Sequence, residues 1–229
     1  MSSSGIGVGE YIWTVHYGGN LGGVQIFEES IVGLRPVITI DKGILKQQKY
    51  VMTNIFVNGS FENGFTGWNS NLYGKGGGTS STAYSSTGEN SVYINAVDAN
   101  EKAIQYVNSD ITLKANHLYY FAMEGYVTSY TSGPSTFGSL VNSAKHIGFE
   151  PAVLNKWQRL SDIITTTNDS TNVDIRFGQV FAFDCVYQAY MDDIMLIDLT
   201  ETFGSGNEPN KEWCDQNINW FEENKNIYK

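Results

Sequence analysis

Hydrophobic residues between positions 55 and 198 occur in short runs separated by Gly, Asn, Ser and Thr, without a sustained helical period. Runs of this length that are rich in aromatic and β-branched residues and bounded by turn residues are typical of β-strands. The pattern predicts strands at residues 55–57, 91–96, 103–107, 117–128, 156–165, 173–183 and 189–198. We therefore expect an all-β fold, a jelly-roll β-sandwich.

The longest run, residues 118–127, is apolar on both faces of the predicted strand. One face would contact the core. The other face must be covered by a ligand, a subunit or another segment, because large exposed apolar patches are rare on soluble proteins.

The residues before position 51 form a separate small β segment in this interpretation. Strand-like runs at residues 11–15 and 33–40 flank glycine turns, and the second run contains Gly-Leu-Arg-Pro-Val-Ile. This portion resembles the final segment of a C-type-lectin-like or sulfatase-modifying-factor-like domain. It is either a remnant that packs on its neighbour or the end of a domain.

The pattern changes again after residue 199. Residues 200–209 read as a turn-rich connector, and an amphipathic helix is predicted from position 210 to about 223. Its apolar stripe would consist of Trp213, Cys214, Ile218, Trp220 and Phe221. The predicted organisation is thus an N-terminal segment (1–50), a jelly roll (51–199) and a connector with a docking helix (200–229).

Composition supports an all-β protein with a substantial core. Hydrophobic residues make up 41% of the chain, and it contains 14 Tyr, 12 Phe and 24 Gly. The net charge of −10 argues against a nucleic-acid partner, since such binding depends on Lys and Arg. Membrane insertion and secretion by a standard signal peptide are not expected either, because no long apolar run or signal-like N-terminus occurs.

Acidic residues at two distant positions suggest a metal site. Glu62 follows the short run at 55–57, and Asp192 and Asp193 lie together inside the apolar run at 189–198. A carboxylate buried without a partner costs several kcal/mol. Either a shared hard cation balances these acids, or Glu62 caps a turn while the two aspartates accept hydrogen bonds from the backbone.

Three segments carry a family resemblance: residues 54–64 with Gly67-Trp68, residues 156–160 and residues 190–196. Together they resemble the calcium-containing jelly-roll carbohydrate-binding modules of xylanases and glucanases, over roughly residues 52–198. The resemblance implies that Glu62 and Asp192 hold a structural calcium, with further ligands from the turn that contains Glu89. It also implies that Trp68 and Trp157 are core residues.

The same resemblance implies a glycan site on the concave sheet face or in loops at one edge. Stacking on sugar rings requires aromatic side chains, and hydroxyl recognition requires polar neighbours. The candidates are Tyr73 and Tyr84 beside the glycine-rich loop, and Tyr126, Arg176 and Gln179 on predicted strands.

No catalytic residue is predicted. The three histidines, His16, His117 and His146, are scattered along the chain, and neither a Gly-x-Ser-x-Gly nor a His-Glu-x-x-His motif occurs. We therefore expect a protein that is not an enzyme.

The C-terminal part, residues 199–209 with Trp213, Trp220 and Phe221, resembles a segment common in tail proteins of phages and prophages of Gram-positive bacteria. The resemblance implies a virion tail or fibre protein, assembled in the host cytoplasm, that contacts other virion proteins and binds cell-surface polysaccharide. A homo-oligomer, with a trimer expected, fits that context. The alternatives are a structural fibre or decoration subunit without glycan binding, and an accessory module of a glycoside hydrolase.

Overall fold

A computed structural model describes residues 48–70, 77–96, 102–106, 111–133, 135–140, 145–171, 176–179 and 186–229. Residues 49–228 form one compact unit. The predicted β segment at 1–50 therefore lies almost entirely outside the described residues.

The described elements are nearly all strands. They are β1 (Lys49–Thr53), β2 (Trp68–Asn69), β3 (Thr79–Ser81), β4 (Ser91–Ala96), β5 (Lys102–Tyr106), β6 (Thr112–Leu113), β7 (Leu118–Ser132), β8 (Thr136–Leu140), β9 (Lys145–Gly148), β10 (Trp157–Thr165), β11 (Ser170–Thr171), β12 (Arg176–Gln179), β13 (Val186–Asp198) and β14 (Asn224–Tyr228), with helices α1 (Leu199–Phe203) and α2 (Lys211–Asn217).

Two antiparallel five-stranded sheets build the fold. The first sheet has the order β10-β7-β13-β4-β3, and the second has the order β2-β5-β12-β8-β9. Two short pairs, β1 with β14 and β6 with β11, complete the described structure. The predicted all-β jelly-roll sandwich is confirmed.

An inner core joins the two sheets. Alternate residues of β4 point into it: Val92, Ile94 and Ala96 are buried and Tyr93 is not. Phe177 from β12 meets Phe121 from β7 at a ring-centroid distance of 5.5 Å, which connects the second sheet to the first. The predicted core position of Trp68 is confirmed, since it is 5% exposed within this cluster.

A second core covers part of the outer face of the first sheet. Tyr120 and Ala122 of β7, with Met195 and Ile197 of β13, are fully buried there. The residues that bury them come mainly from the C-terminal part of the chain: Leu199, Phe203, Cys214, Ile218, Phe221 and Ile227. The second apolar face of the long strand is therefore covered by another segment of the same chain.

Polar contacts fix this C-terminal cover to the sheet. Asp215 of α2 accepts hydrogen bonds from the hydroxyls of Tyr120 (2.8 Å) and Ser161 (2.5 Å). Arg159 donates to the carbonyl of Ile218 (2.9 Å) and pairs with Glu124 at 3.0 Å. Residues after 199 thus pack as part of the sandwich.

The predicted C-terminal helix is too long. Helix α2 ends at Asn217, with Ile218 as its C-cap, and β14 follows and pairs with β1. The spacing of Ile218, Trp220 and Phe221 matches that of a helix, but these residues lie after α2 ends. Spacing alone does not distinguish a helix from an irregular segment that buries the same apolar residues. Residues 200–203, predicted as part of the connector, belong to α1.

Residues 55–57 are not a regular strand, although they adjoin β13. Here the side chain of Asn54 replaces hydrogen bonds between strand backbones. Its Oδ1 accepts hydrogen bonds from the backbone N–H groups of Phe56 (3.2 Å) and Leu196 (3.1 Å). The backbone N–H of Ile55 donates to the carbonyl of Leu196 at 2.8 Å.

Neither helix in the described residues has the length and apolar character needed to cross a bilayer.

Candidate functional site

Glu62 is held in place by a compact loop that the sequence Asn58-Gly59-Ser60-Phe61 forms. Asn58 adopts a left-handed conformation, and its side chain donates to the carbonyls of Gly64 (2.9 Å) and Thr66 (3.1 Å). The indole of Trp68 donates to the carbonyl of Asn58 at 3.1 Å. The loop is therefore anchored in the inner core, and the Glu62 side chain projects from it.

The Glu62 carboxylate binds one end of the connection between β3 and β4. Its Oε1 accepts the backbone N–H groups of Glu89 (2.9 Å) and Asn90 (2.8 Å). The pKa of Glu62 lies below its usual value, mainly because the backbone of Asn90 donates a hydrogen bond to the carboxylate. Partial burial opposes this effect, and the hydrogen bond from Glu89 adds to it.

Asp192 and Asp193 bind the other end of the same connection. Oδ2 of Asp192 accepts the backbone N–H groups of Ser86 (2.7 Å) and Thr87 (3.2 Å), and the Thr87 hydroxyl donates to Asp193 at 2.5 Å. We call Glu62, Asp192 and Asp193, together with the residues 86–90 that they hold, the acidic clasp.

A β-bulge explains why both adjacent aspartates are buried. The pairing of β13 with β7 shifts between Asp192 and Met195, and Asp193 has a φ of 54°. In a regular strand two successive side chains would point to opposite faces. Here Asp192 is 0% exposed and Asp193 is 1% exposed.

Burial of two neighbouring carboxyls has an electrostatic cost. Burial foremost, and the nearby Asp193 carboxyl second, raise the pKa of Asp192 to about 8. Burial also raises the pKa of Asp193. The clasp therefore favours either a proton or a cation at this position.

The calcium expected from the sequence would use Glu62 and Asp192, which bind opposite ends of one turn and offer the oxygen ligands that hard cations prefer. In the described structure the ligand atoms of Glu62, Glu89 and Asp192 do not come together as a group of three within 4.8 Å. Glu89 contributes its backbone N–H, and its side chain is exposed. The hydrogen bonds in the clasp match the alternative from the sequence, in which Glu62 binds a turn and the aspartates accept hydrogen bonds from backbone groups.

One group of three metal-ligating side chains occurs among the described residues, at a different place. His117, Asp198 and Glu201 bring their ligand atoms within 4.8 Å of one another. These side chains already have partners, since His117 contacts Asp198 at 2.8 Å and Lys114 pairs with Glu201. Asp198 also caps the N-terminus of α1.

Four aromatic side chains form a row across the outer face of the first sheet. Trp157, Tyr126, Tyr190 and Tyr93 are direct cross-strand partners on β10, β7, β13 and β4. Their ring centroids are 5.3, 6.3 and 5.0 Å apart along the row. We call this row the aromatic ladder; at about 4.8 Å between strands it spans about 14 Å.

Tyr84 adds a fifth ring to the ladder from the connection between β3 and β4. It stacks on Tyr126 with centroids 4.5 Å apart and an interplanar angle of 23°, and its edge meets Tyr190 at 4.9 Å. Tyr84 is 41% exposed, whereas the four ladder rings are half-buried. Gln188 and Asn95, which hydrogen-bond to each other at 3.2 Å, lie two residues from Tyr190 and Tyr93.

The structure groups the predicted glycan residues differently from the sequence. Tyr84 and Tyr126 lie together. Arg176 belongs to β12 of the second sheet, so it is not part of their surface. Tyr73 and the side chain of Gln179 lie outside the described residues.

Trp157, Tyr93 and Tyr190 were missed as site residues, and the core assignment of Trp157 was wrong. Trp157 is half-buried and packs on Tyr126 at the outer face. Alternation along β4 and β13 separates Tyr93 and Tyr190 from the buried positions. That signal was available, but their alignment depends on the strand order and register, which one sequence does not reveal.

A comparison with protein families identifies the class of this domain. The carbohydrate binding domain family matches residues 53–179, which is more than half of the chain. The chain belongs to this family. No curated protein matches the chain.

Solved structures with similar folds include carbohydrate-binding modules. A Family 16 Carbohydrate Binding Module-2 has a TM-score of 0.46 and 18% identity, over 63% of this chain and 100% of that one. The CBM22-1 xylan-binding domain from Paenibacillus barcinonensis Xyn10C has a TM-score of 0.45 and 16% identity, over 61% and 90%. The enzymatically active domain of Bacteriophage CBA120 tailspike protein 4 has a TM-score of 0.44 and 13% identity, over 63% and 21%.

The buried clasp predicts a pH dependence of stability that Asp192→Asn removes. When a chelator removes divalent cations, the folded protein keeps the Asp192 proton up to about pH 8, whereas the unfolded chain releases it near pH 3.8. The unfolded state binds fewer protons within this window, so stability falls as pH rises, by at most about 1.4 kcal/mol per pH unit. Urea unfolding at pH values inside the window should show a steeper loss for wild type than for Asp192→Asn. Parallel profiles would contradict this account.

Proposed function

We propose that the chain is a non-enzymatic binding protein that attaches to cell-surface polysaccharide through the aromatic ladder and Tyr84. The family match supports carbohydrate as the class of ligand. The observation that carries the choice of surface is the row of four cross-strand rings with an exposed fifth ring against it.

The chemistry of the surface suits a neutral polysaccharide. Aromatic faces stack on the C–H faces of sugar rings, and polar groups such as Gln188 and Asn95 at the margin can bond hydroxyls. The net charge of −10 disfavours acidic polymers. Because the ladder runs across four strands, it can contact several consecutive sugars within a linear chain.

The ladder predicts the effect of single substitutions on glycan binding. Tyr126→Ala and Tyr84→Ala should weaken binding by about tenfold or more, since a buried aromatic contact is worth about 1.4 kcal/mol or more at a binding site. Electrophoresis through gels that contain soluble xylan, β-glucan or galactan, with pull-down on Gram-positive cell walls, measures this.

Tyr228→Ala is the matched control, because Tyr228 is 54% exposed on β14 and makes no contact with the ladder in the described structure. Arg176→Ala tests the other sheet. Loss of binding in Arg176→Ala, with Tyr126→Ala unaffected, would place the glycan on the second sheet and overturn the proposed surface. A thermal melt of each variant checks that it remains folded.

We also propose that a structural calcium ion binds at the clasp, held by Glu62 and Asp192 with oxygens of the turn that contains Glu89. The support is the set of oxygen donors and the raised pKa of Asp192, which a bound cation would offset. The ion would contribute positive charge beside two buried carboxyls, and the chain's own residues would fix the turn.

Calcium is therefore expected to raise the thermal unfolding midpoint of the wild-type protein relative to a chelator. At a hundredfold excess over Kd, the stabilisation would be about 2.7 kcal/mol. Asp192→Asn and Glu62→Gln should each remove most of the calcium response, while Glu150→Gln, a change to an exposed acid elsewhere, should keep it. An equal response in all four proteins would argue against this site.

We further propose that the protein is part of the tail or fibre of a phage or phage-like particle, where it serves host adhesion. The support is the resemblance of residues 199–209, with Trp213, Trp220 and Phe221, to a segment of Gram-positive phage tail proteins. Many weak glycan contacts on one particle would add up to firm attachment. The virion location, the other virion proteins as partners and the trimeric state are parts of this proposal.

Antibodies against residues 49–228 should label purified particles and reduce their adsorption to host cells. Labelling without reduced adsorption would favour the alternative of a structural fibre subunit. Protein recovered only outside particles would contradict the virion location. The C-terminal cover weakens one reason for the structural alternative, since the apolar face of β7 needs no neighbouring subunit to bury Tyr120 and Ala122.

A further inference from the structure

Tyr84 reaches the aromatic ladder from a connection and not from a strand. β3 ends at Ser81 and β4 begins at Ser91, so the position of Tyr84 depends on contacts made outside the strand ladder. One such contact is local: the Ser91 hydroxyl donates to the carbonyl of Tyr84 at 2.5 Å.

Further contacts come from the acidic clasp directly after Tyr84. Asp192 accepts the N–H groups of Ser86 and Thr87, and Asp193 accepts the Thr87 hydroxyl. Glu62 holds the end of the turn through Glu89 and Asn90. Three acidic side chains thus fix the turn that continues from Tyr84.

The strand that carries the clasp also carries the ladder. Asp192 lies two residues after Tyr190, and Tyr190 contacts Tyr84 edge-on at 4.9 Å. A turn anchored to β13 therefore keeps Tyr84 at a fixed position relative to Tyr190 and Tyr126. Movement of the turn away from Asp192 would take Tyr84 with it.

Gly88 shows how closely the turn approaches Glu62. Its φ is +63°, and a Cβ atom at this position would lie 2.3 Å from Oε1 of Glu62. A side chain here would therefore have to displace the carboxylate as well as adopt a left-handed conformation. Glycine at position 88 thus lets the turn approach while the Glu62 carboxylate keeps its bonds to Glu89 and Asn90.

We propose that the acidic clasp positions Tyr84 for glycan binding, so that the state of the clasp regulates the affinity of the ladder. This inference rests on the proposed glycan-binding function. Thr87 is a positioning residue in this scheme: it touches no glycan, and its hydroxyl connects the turn to Asp193. A cation at the clasp would act through the same turn.

A double-mutant cycle between Thr87 and Tyr84 tests the coupling. Thr87→Val should weaken retardation in xylan, β-glucan or galactan gels by about three- to tenfold, the loss expected for one hydrogen bond. Thr87→Ser keeps the hydroxyl and should restore binding. In a Tyr84→Ala background, Thr87→Val should have no further effect. Thr82→Val, in the same connection and exposed, is the matched control.

A second readout does not require glycan. Thr87→Val should change the near-ultraviolet circular dichroism of the stacked tyrosines and speed hydrogen exchange in residues 82–91, and the dichroism change should vanish in the Tyr84→Ala background. Gly88→Ala should act in the same direction through Glu62. Additive affinity losses, or an unchanged tyrosine spectrum in Thr87→Val, would overturn the coupling. Absence of binding in every gel, with the spectral coupling intact, would refute the glycan-binding function and leave the positioning of Tyr84 supported.

Discussion

The buried carboxyls at the β13 bulge are the constraint on which the functional surface depends. In a regular strand Asp192 and Asp193 would lie on opposite faces, and each carboxyl would need its own hydrogen-bond donors. The bulge brings both to one turn, where a backbone N–H group donates to Asp192 and the Thr87 hydroxyl donates to Asp193. Desolvation still raises the Asp192 pKa to about 8, so the fold retains a strong local demand for positive charge.

The same bulge divides the outer face of the first sheet into two regions. Before it, Tyr190 points outward into the aromatic ladder; after it, Met195 and Ile197 point outward into the second core. The C-terminal segment covers only the second region. Glu124 and Arg159, ion-paired at 3.0 Å, lie on β7 and β10 between the ladder partners and the covered residues. A single irregularity in β13 thus separates the aromatic ladder, the proposed binding surface, from the surface that packs in the second core.

The sequence predicted the all-β architecture because several long strands are apolar runs bounded by turn residues. Residues 91–96 were predicted and are β4, and the runs at 117–128 and 156–165 are β7 and β10 within a few residues. The end of α2 was not predictable from the spacing of apolar residues, because Ile218 and Phe221 are buried in the second core without being helical. The alignment of the ladder residues depends on strand register. Trp157 and Tyr126 are neighbours because their strands pair, although they lie about thirty residues apart in the sequence, and no local sequence pattern predicts this pairing.

The position of Tyr84 brings the two sites of the molecule into one physical argument. Both could be inferred separately, as acids that suit a cation and as aromatics that suit sugars. Their connection requires the observation that the acids hold the residues directly after Tyr84 while β13 supplies Tyr190 to the ladder. The residues proposed to hold calcium are hydrogen-bonded to the turn that follows Tyr84, the most exposed ring of the ladder surface. Stability and the proposed glycan recognition would therefore depend on the same few hydrogen bonds.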